Sequence, residues 1–378
     1  MSEITALTLN PKEERRILRG HLWAYRNELK SSVTLQDGVL VDLFSSERRF
    51  VARGFYQARG GIAVRVLDYH QSTIDRAFWA ARIASAHALR TKLFPDSTAW
   101  RWIHGESDGL PGLVADRYGS VVSVQSQCMY YIAHWEILAA LFLEVEGITG
   151  VYLNLNNRTE EAGEIPPLVT CDLEGLRVQF DIREAQKTGL FLDQRLNRLA
   201  VAPFAKGARV LDGHCHLGLW SCHAAQAGAV EIVGVDTSEK ALEHARETAR
   251  LNGLEGRCDF RAQPVEQALE EDREWDIIIL DPPALAKARK DTKAALGLYQ
   301  ALNKMALERL EPGGILATSS CSHFVTTEDF HETIKRAASA AHKHVRVLQW
   351  RSAGPDHPVL LAMPETAYLK CALLQVVE

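Results

Sequence analysis

Apolar and polar positions alternate through "GVLVDLFSSERRFVARGFY" and "GIAVRVLDY", with breaks at "SSERR" and "ARGG", so residues 1 to about 70 read as a small β-rich unit. A lone helix with a basic side is expected before those strands. The period becomes helical in "IDRAFWAARIASAHALRTKL" (74–93). It returns to alternation in "SVVSVQSQ", "GVYLNLNN" and "LRVQFDI", around a second helix near 133–146. "GESDGLPGLVADRYG", punctuated by Pro111, is a loop or hairpin between them. These segments form an α+β middle unit over 71–182.

From about 185, strands and helices take turns. "ARVLDG" is followed by a helix to about 228, "EIVGVD" by a helix over 238–252, then come "CDFRA" and "WDIIILDPP", a helix over about 292–311, and "GGILATSSC". A run such as "DIIIL" is apolar on both faces, as a strand inside a helix-covered parallel sheet must be. The expectation for 183–378 is a doubly wound, Rossmann-like α/β domain.

Composition narrows the classes. A chain of 378 residues suits two or three domains. With 43 Lys+Arg against 48 Asp+Glu the net charge is −5, which excludes a protein coated in basic charge but leaves room for local patches. One such patch lies in residues 1–30, where Lys12, Arg15, Arg16, Arg19, Arg26 and Lys30 stand with Trp23 and Tyr25. Cations for phosphates and aromatics for bases or sugars make it a candidate nucleic-acid face, the alternative being a solvated helix with core aromatics. Seven widely spaced cysteines suit reduced thiols in a cytosol. Without an apolar stretch behind a basic start, or any run of about eighteen apolar residues, the expectation is a soluble cytoplasmic protein.

Ligands of doubly wound sheets sit beyond the carboxyl ends of the strands. Four strand ends here carry chemistry. The first is a glycine-containing turn, Asp212-Gly213-His214-Cys215-His216-Leu217-Gly218. The second strand ends in Asp236, eighteen residues after Gly218, where a carboxylate can accept from ribose hydroxyls. The fourth ends in Asp281-Pro282-Pro283 and the fifth in "TSSCS", with Cys321 among small hydroxyl residues. No Gly-x-Gly-x-x-Gly is present, so the pattern lacks a pyrophosphate site and favours S-adenosylmethionine (SAM) over NAD. Two prolines fix a rigid turn that displays carbonyls and a carboxylate toward a planar base. Asp281 as an N-cap before Pro282, Asp236 as an N-cap for the helix after it, and Cys321 as a packing residue are the structural alternatives. His214, Cys215, His216, Cys222 and His223 fall within ten residues, but alternate residues of a turn point apart and the last two enter a helix, so no metal is expected.

Here the chain resembles a family. "RRILRGHLWAYRNEL", "GESDGLPGLVADRYG", "KTGLFLDQRLNR", "VLDGHCHLG", "VGVDTSEKALEHAR", "DIIILDPPA", "TSSCS" and "DHPV…YLK" look like the bacterial 23S ribosomal RNA cytosine-5 methyltransferases with an N-terminal PUA domain. The resemblance covers nearly the whole length. It implies a class I SAM-dependent methyltransferase domain (183–378) after a PUA-like RNA-binding domain (1–70) and the middle unit, with the large-subunit rRNA as partner and the middle unit as a candidate dimer surface.

Cofactor contacts would come from Asp212, Gly213, His214, His216, Gly218, Asp236, Gln263, Asp281, Pro282 and Gln194. RNA contacts would come from Lys12, Arg15, Arg16, Arg19, Trp23, Lys187, Arg195, Lys287, Arg289 and Lys290. The chain departs from the family at His214 and His216, where aromatics are usual, and at Leu219, where a second glycine is common. It also departs at Gln263 or Pro264, in place of an acid, and at Ala284 and Leu285, where an aromatic is common.

Carbon 5 of cytosine is too weak a nucleophile to take a methyl unaided, so a thiolate must first add at carbon 6. The resemblance assigns that role to Cys321, with Asp281 taking up charge. The rival readings are an RNA nitrogen methyltransferase, which needs no cysteine, and a non-catalytic RNA-binding or assembly protein on the same fold.

Overall fold

The fold is described from a computed structural model covering residues 4–155, 158–185 and 188–377. It groups into two compact units, one of Met1–Val169, Asp181–Leu190 and Pro355–Thr366, the other of Thr170–Phe180, Phe191–Gly354 and Ala367–Glu378.

In the first unit the alternating segments pair as two sheets. Strands β1 (Thr5–Thr8), β2 (Trp23–Tyr25), β3 (Leu40–Phe44), β4 (Phe50–Tyr56) and β5 (Ile62–Asp68) take the order β1-β3-β4-β5-β2, with β1 parallel to β3 and the other pairs antiparallel. Leu7, Ile17, Val41, Leu43, Val64 and Val66 form its core. The expected N-terminal helix with a basic side is present and short. Only α1 (Glu14–Leu18) is helical, because Gly20 at φ 104° turns the chain into β2, which carries Trp23 and Tyr25.

Helix α2 (Arg76–Leu93) begins where Asp75 accepts from the Phe78 amide. The second sheet runs β10-β9-β8-β7-β6, from β6 (Ala99–His104), β7 (Leu113–Tyr118), β8 (Val121–Ser126), β9 (Gly150–Leu155) and β10 (Arg158–Gly163). The crossover between the parallel pair β8 and β9 carries α3 (Met129–Ala133) and α4 (Trp135–Leu143).

The second unit opens with a hairpin of β11 (Val169–Leu173) and β12 (Leu176–Phe180), then α5 (Arg195–Val201). The doubly wound sheet follows. Its strands are β13 (Arg209–Gly213), β14 (Glu231–Asp236), β15 (Cys258–Ala262), β16 (Trp275–Leu280), β17 (Leu310–Ser320), β18 (Val345–Arg351) and β19 (Lys370–Val376), in the order β15-β14-β13-β16-β17-β19-β18. All pairs are parallel except those of β19. Helices α6 (Leu219–Gln226), α7 (Glu239–Leu251), α8 (Val265–Glu270), α9 (Thr292–Glu308) and α10 (Thr327–Ala340) connect them. Leu211, Val233, Ile278, Leu280, Leu316 and Leu374 make the two-faced core that the apolar runs require. Strand order reverses between β13 and β16, which opens a crevice at their carboxyl ends.

Candidate active site

Strand β13 delivers Asp212, fully buried, to the crevice floor. Its Oδ2 accepts from the Ser221 amide (3.0 Å) and Oγ (2.7 Å). Oδ1 is buried with no partner among the described residues. Burial raises this carboxyl to about 7, against the pull of the two Ser221 hydrogen bonds.

Beyond it the chain packs closely. A Cβ on Gly213 would come within 2.6 Å of Val265 Cγ2, and one on Gly218, at φ 69°, within 2.8 Å of Phe260. His214 and His216 also take left-handed φ values of 62° and 49°. The turn is held by β14, since Asp236 Oδ2 accepts from the His216 amide (3.1 Å) and Oδ1 from the Ser238 amide (2.9 Å). The cap of α7 is Ser238, whose Oγ accepts from the Ala241 amide, so Asp236 is not spent as an N-cap. The His216 ring packs edge-on against Phe191 at 4.9 Å between centroids, and burial lowers both His214 and His216 below the ordinary histidine value. Gln263 follows β15, its amide bonded to the Asp236 carbonyl and its side-chain Nε2 buried without a described partner, as is His214 Nε2.

At the next strand end, Asp281 is gripped by side chains. Gln194 Nε2 donates to Oδ1 (2.7 Å) and Trp220 Nε1 to Oδ2 (3.1 Å). Asn197 in turn donates to Gln194 Oε1, fixing which end of that amide faces the carboxylate. Burial, then the charge of Asp193, raises Asp281 to about 6, while the Trp220 and Gln194 hydrogen bonds oppose the rise. No helix begins at Pro282, so Asp281 is not an N-cap either. Cys321, half-buried, directs Sγ to the Pro282 carbonyl at 3.9 Å. The hydroxyls around it act as braces. Ser322 Oγ accepts from the Ala286 amide (3.1 Å) and meets the Tyr299 hydroxyl (3.1 Å), tying the Asp-Pro-Pro loop to the cysteine turn.

The structure thus brings Asp212, Gly213, His214, His216, Gly218, Asp236, Gln263, Asp281, Pro282, Gln194 and Cys321 to the carboxyl ends of one sheet. The cations divide. Lys287, Arg289 and Lys290 are exposed on the loop after Asp-Pro-Pro, and Lys12, Arg15 and Arg19 are exposed in the first unit.

Arg16 is engaged with Glu28 (2.7 Å) and the Trp23 carbonyl, while Trp23 donates to Glu106 and lies under the Arg65 guanidinium. Arg195 is a correction. It is fully buried with Nε on Glu174 (2.7 Å), which removes it from any RNA-facing set. Lys187 lies outside the described residues. Sequence reasoning missed Trp220 and Lys370, whose partners Asp281 and Ser322 are distant in the chain, and Ser221, which turns back to Asp212 nine positions earlier. Among the described residues no group of three or more His, Cys, Asp or Glu could hold a metal ion, and no helix is long and apolar enough to cross a membrane.

The available atoms suit SAM. Its ammonium needs an acceptor such as Asp212 Oδ1, its ribose diol a carboxylate such as Asp236, and its adenine edge a donor such as Gln263 Nε2. Comparison with known proteins agrees. The model of the S-adenosylmethionine-dependent methyltransferase family matches residues 154–364, and that of the PUA-like domain matches residues 7–69. The ribosomal RNA large subunit methyltransferase I of Pseudoalteromonas atlantica is 34% identical, covering 98% of this chain and 99% of its own. The chain belongs to this methyltransferase family.

The enzyme of the same name from Shewanella denitrificans is 32% identical over equal shares. Among solved structures, SMU.776 complexed with SAH superposes with a TM-score of 0.89 at 20% identity, over 99% of this chain and all of that one, so the family's fold extends over the whole length. A Streptococcus mutans protein gives 0.87 at the same identity and coverage. The family's cofactor is SAM, and the expected α/β class with its PUA-like start and Rossmann-like methyltransferase domain is the one observed.

Proposed function

We propose that this methyltransferase acts on carbon 5 of a cytosine in large-subunit ribosomal RNA, through a covalent adduct of Cys321. The observation that carries the reading is the meeting of the Cys321 thiol with the Asp-Pro-Pro turn, 3.9 Å from the Pro282 carbonyl, beside a carboxyl raised to about 6. The relatives' naming as rRNA large subunit methyltransferases supports the substrate class. The sequence blocks 1–70, 71–182 and 183–378 would serve as RNA-binding, middle and catalytic parts.

The chemistry follows from these groups. The Cys321 thiolate bonds to carbon 6 of a flipped-out cytosine, the carbon 5–carbon 6 π pair moves toward carbon 4, and nitrogen 3 takes the Asp281 proton. Asp212, Asp236 and Gln263 would hold SAM, which would supply the methyl group, its sulfur keeping the electron pair of the broken sulfur–methyl bond and leaving as S-adenosylhomocysteine. Carbon 5 takes that methyl with its electron pair, and nitrogen 3 returns its proton to Asp281. A base then removes the carbon 5 proton. The released pair restores the double bond and expels the thiolate. Lys287, Arg289 and Lys290 would meet the RNA backbone beside the turn. The test is mass spectrometry of 23S rRNA from cells without the gene, complemented with wild type or Cys321→Ala. One 5-methylcytidine should return with the wild type only, whereas its return with Cys321→Ala would contradict the adduct.

A further inference from the structure

Behind the cysteine turn stands a cation that the mechanism above does not use. Lys370 opens β19, paired in register with Ser320, the residue before Cys321. It is 7% exposed, and its Nζ donates to the carbonyls of Ser322 and Val325, each at 2.7 Å. Among the described residues no carboxylate comes within ion-pair distance of it. A buried ammonium is costly, and an apolar side chain would fill this space without that cost. Both carbonyls belong to the turn just after Cys321, and Lys370 pairs with the residue just before it, so the ammonium is anchored to the chain on both sides of the thiol.

We propose that Lys370 is a positioning residue for the reaction, holding the 321–325 turn and supporting the negative charge of the Cys321 thiolate. This rests on the reading of Cys321 as nucleophile. The electrostatics run the same way. Burial lowers the lysine to about 8, while the charges of Cys321 and then Asp329 on α10 pull it back up. Interaction between two charges is mutual, so the lysine favours the thiolate to the same extent that the thiolate favours the ammonium. The other titratable groups packed nearby are Tyr299 on α9, which reaches the turn through Ser322, and Asp281 and Arg351, whose charges act on neighbouring Cys371. Lys370 keeps its charge below about 8, so the support operates at neutral pH.

The test is the pH profile of Cys321 alkylation by iodoacetamide in the full-length protein, read peptide by peptide by mass spectrometry, with half-buried Cys258 as internal reference. Wild-type Cys321 should reach half its maximal rate below the ordinary thiol value of about 8.5. A midpoint at or above that value would overturn the proposal even if no variant folds. In Lys370→Met the midpoint should rise by about one pH unit, a tenfold loss of thiolate at neutral pH, with Cys258 unchanged; Lys370→Arg should restore part of the shift. An unmoved Cys321 profile in folded Lys370→Met would also overturn it. Alkylation needs neither RNA nor SAM. Methylation abolished by Cys321→Ala together with an unmoved profile would sink this inference alone, and methylation surviving Cys321→Ala would sink the nucleophile reading.

Discussion

Two carboxylates at the ends of the strands on either side of β13 are held in opposite ways. Asp236 is satisfied by main chain, accepting from the His216 and Ser238 amides, and so fixes the course of the glycine turn. Asp281 is satisfied by side chains, Gln194 and Trp220, and sits at a raised value of about 6. A carboxylate held by backbone amides shapes a loop, whereas one held by replaceable side chains has a proton affinity that its neighbours set. The first half of the crevice is built to be rigid, the second to be tuned.

The contrast can be broken most severely at Asp281. Asp281→Ala should lower the methyl-transfer rate on the order of 10²- to 10³-fold, the usual worth of a positioned acid, in a single-turnover assay on a 23S rRNA fragment. Asp236→Ala leaves two loop amides without their charged acceptor and should weaken SAH binding on the order of 10- to 100-fold by calorimetry.

A finer test is pH. If Asp281 must be protonated when the thiol adds, kcat/KM should carry a limb that falls as pH rises above about 6. Trp220→Phe removes an N–H that stabilises the anion, so this limb should move to higher pH; movement to lower pH would contradict the assignment. The smallest effect belongs to the exposed loop. Replacing Lys287, Arg289 and Lys290 together by Ala should flatten the salt dependence of RNA binding, by about two in log–log slope if all three meet phosphates of a single strand.

The parallel strands were legible because helices cover both faces of the sheet, and only runs such as Ile277-Ile278-Ile279 satisfy that burial. Asp212, Asp236 and Asp281 were legible too, since each lies at or within one residue of the carboxyl end of a parallel strand, where ligands of such sheets bind. The N-terminal segment left two readings open because cations and aromatics look alike in sequence whether they face RNA or each other; Arg16 and Trp23 turn to Glu28 and Glu106, while Lys12, Arg15 and Arg19 are exposed. Arg195 misled for the same reason, its partner Glu174 lying on the hairpin loop twenty-one positions earlier. Trp220 and Lys370 carried no local signal, because they find Asp281 and the Ser322 carbonyl only once the sheet has assembled.

The most direct measurement uses an rRNA fragment in which the target cytosine carries fluorine at carbon 5, so that no proton can be removed there and the adduct cannot resolve. Incubated with SAM, wild type should form a complex that survives denaturing electrophoresis and maps by mass spectrometry to Cys321, and Cys321→Ala should form none. A wild-type protein that methylates unmodified RNA yet forms no such complex, or one that maps to another residue, would contradict the account.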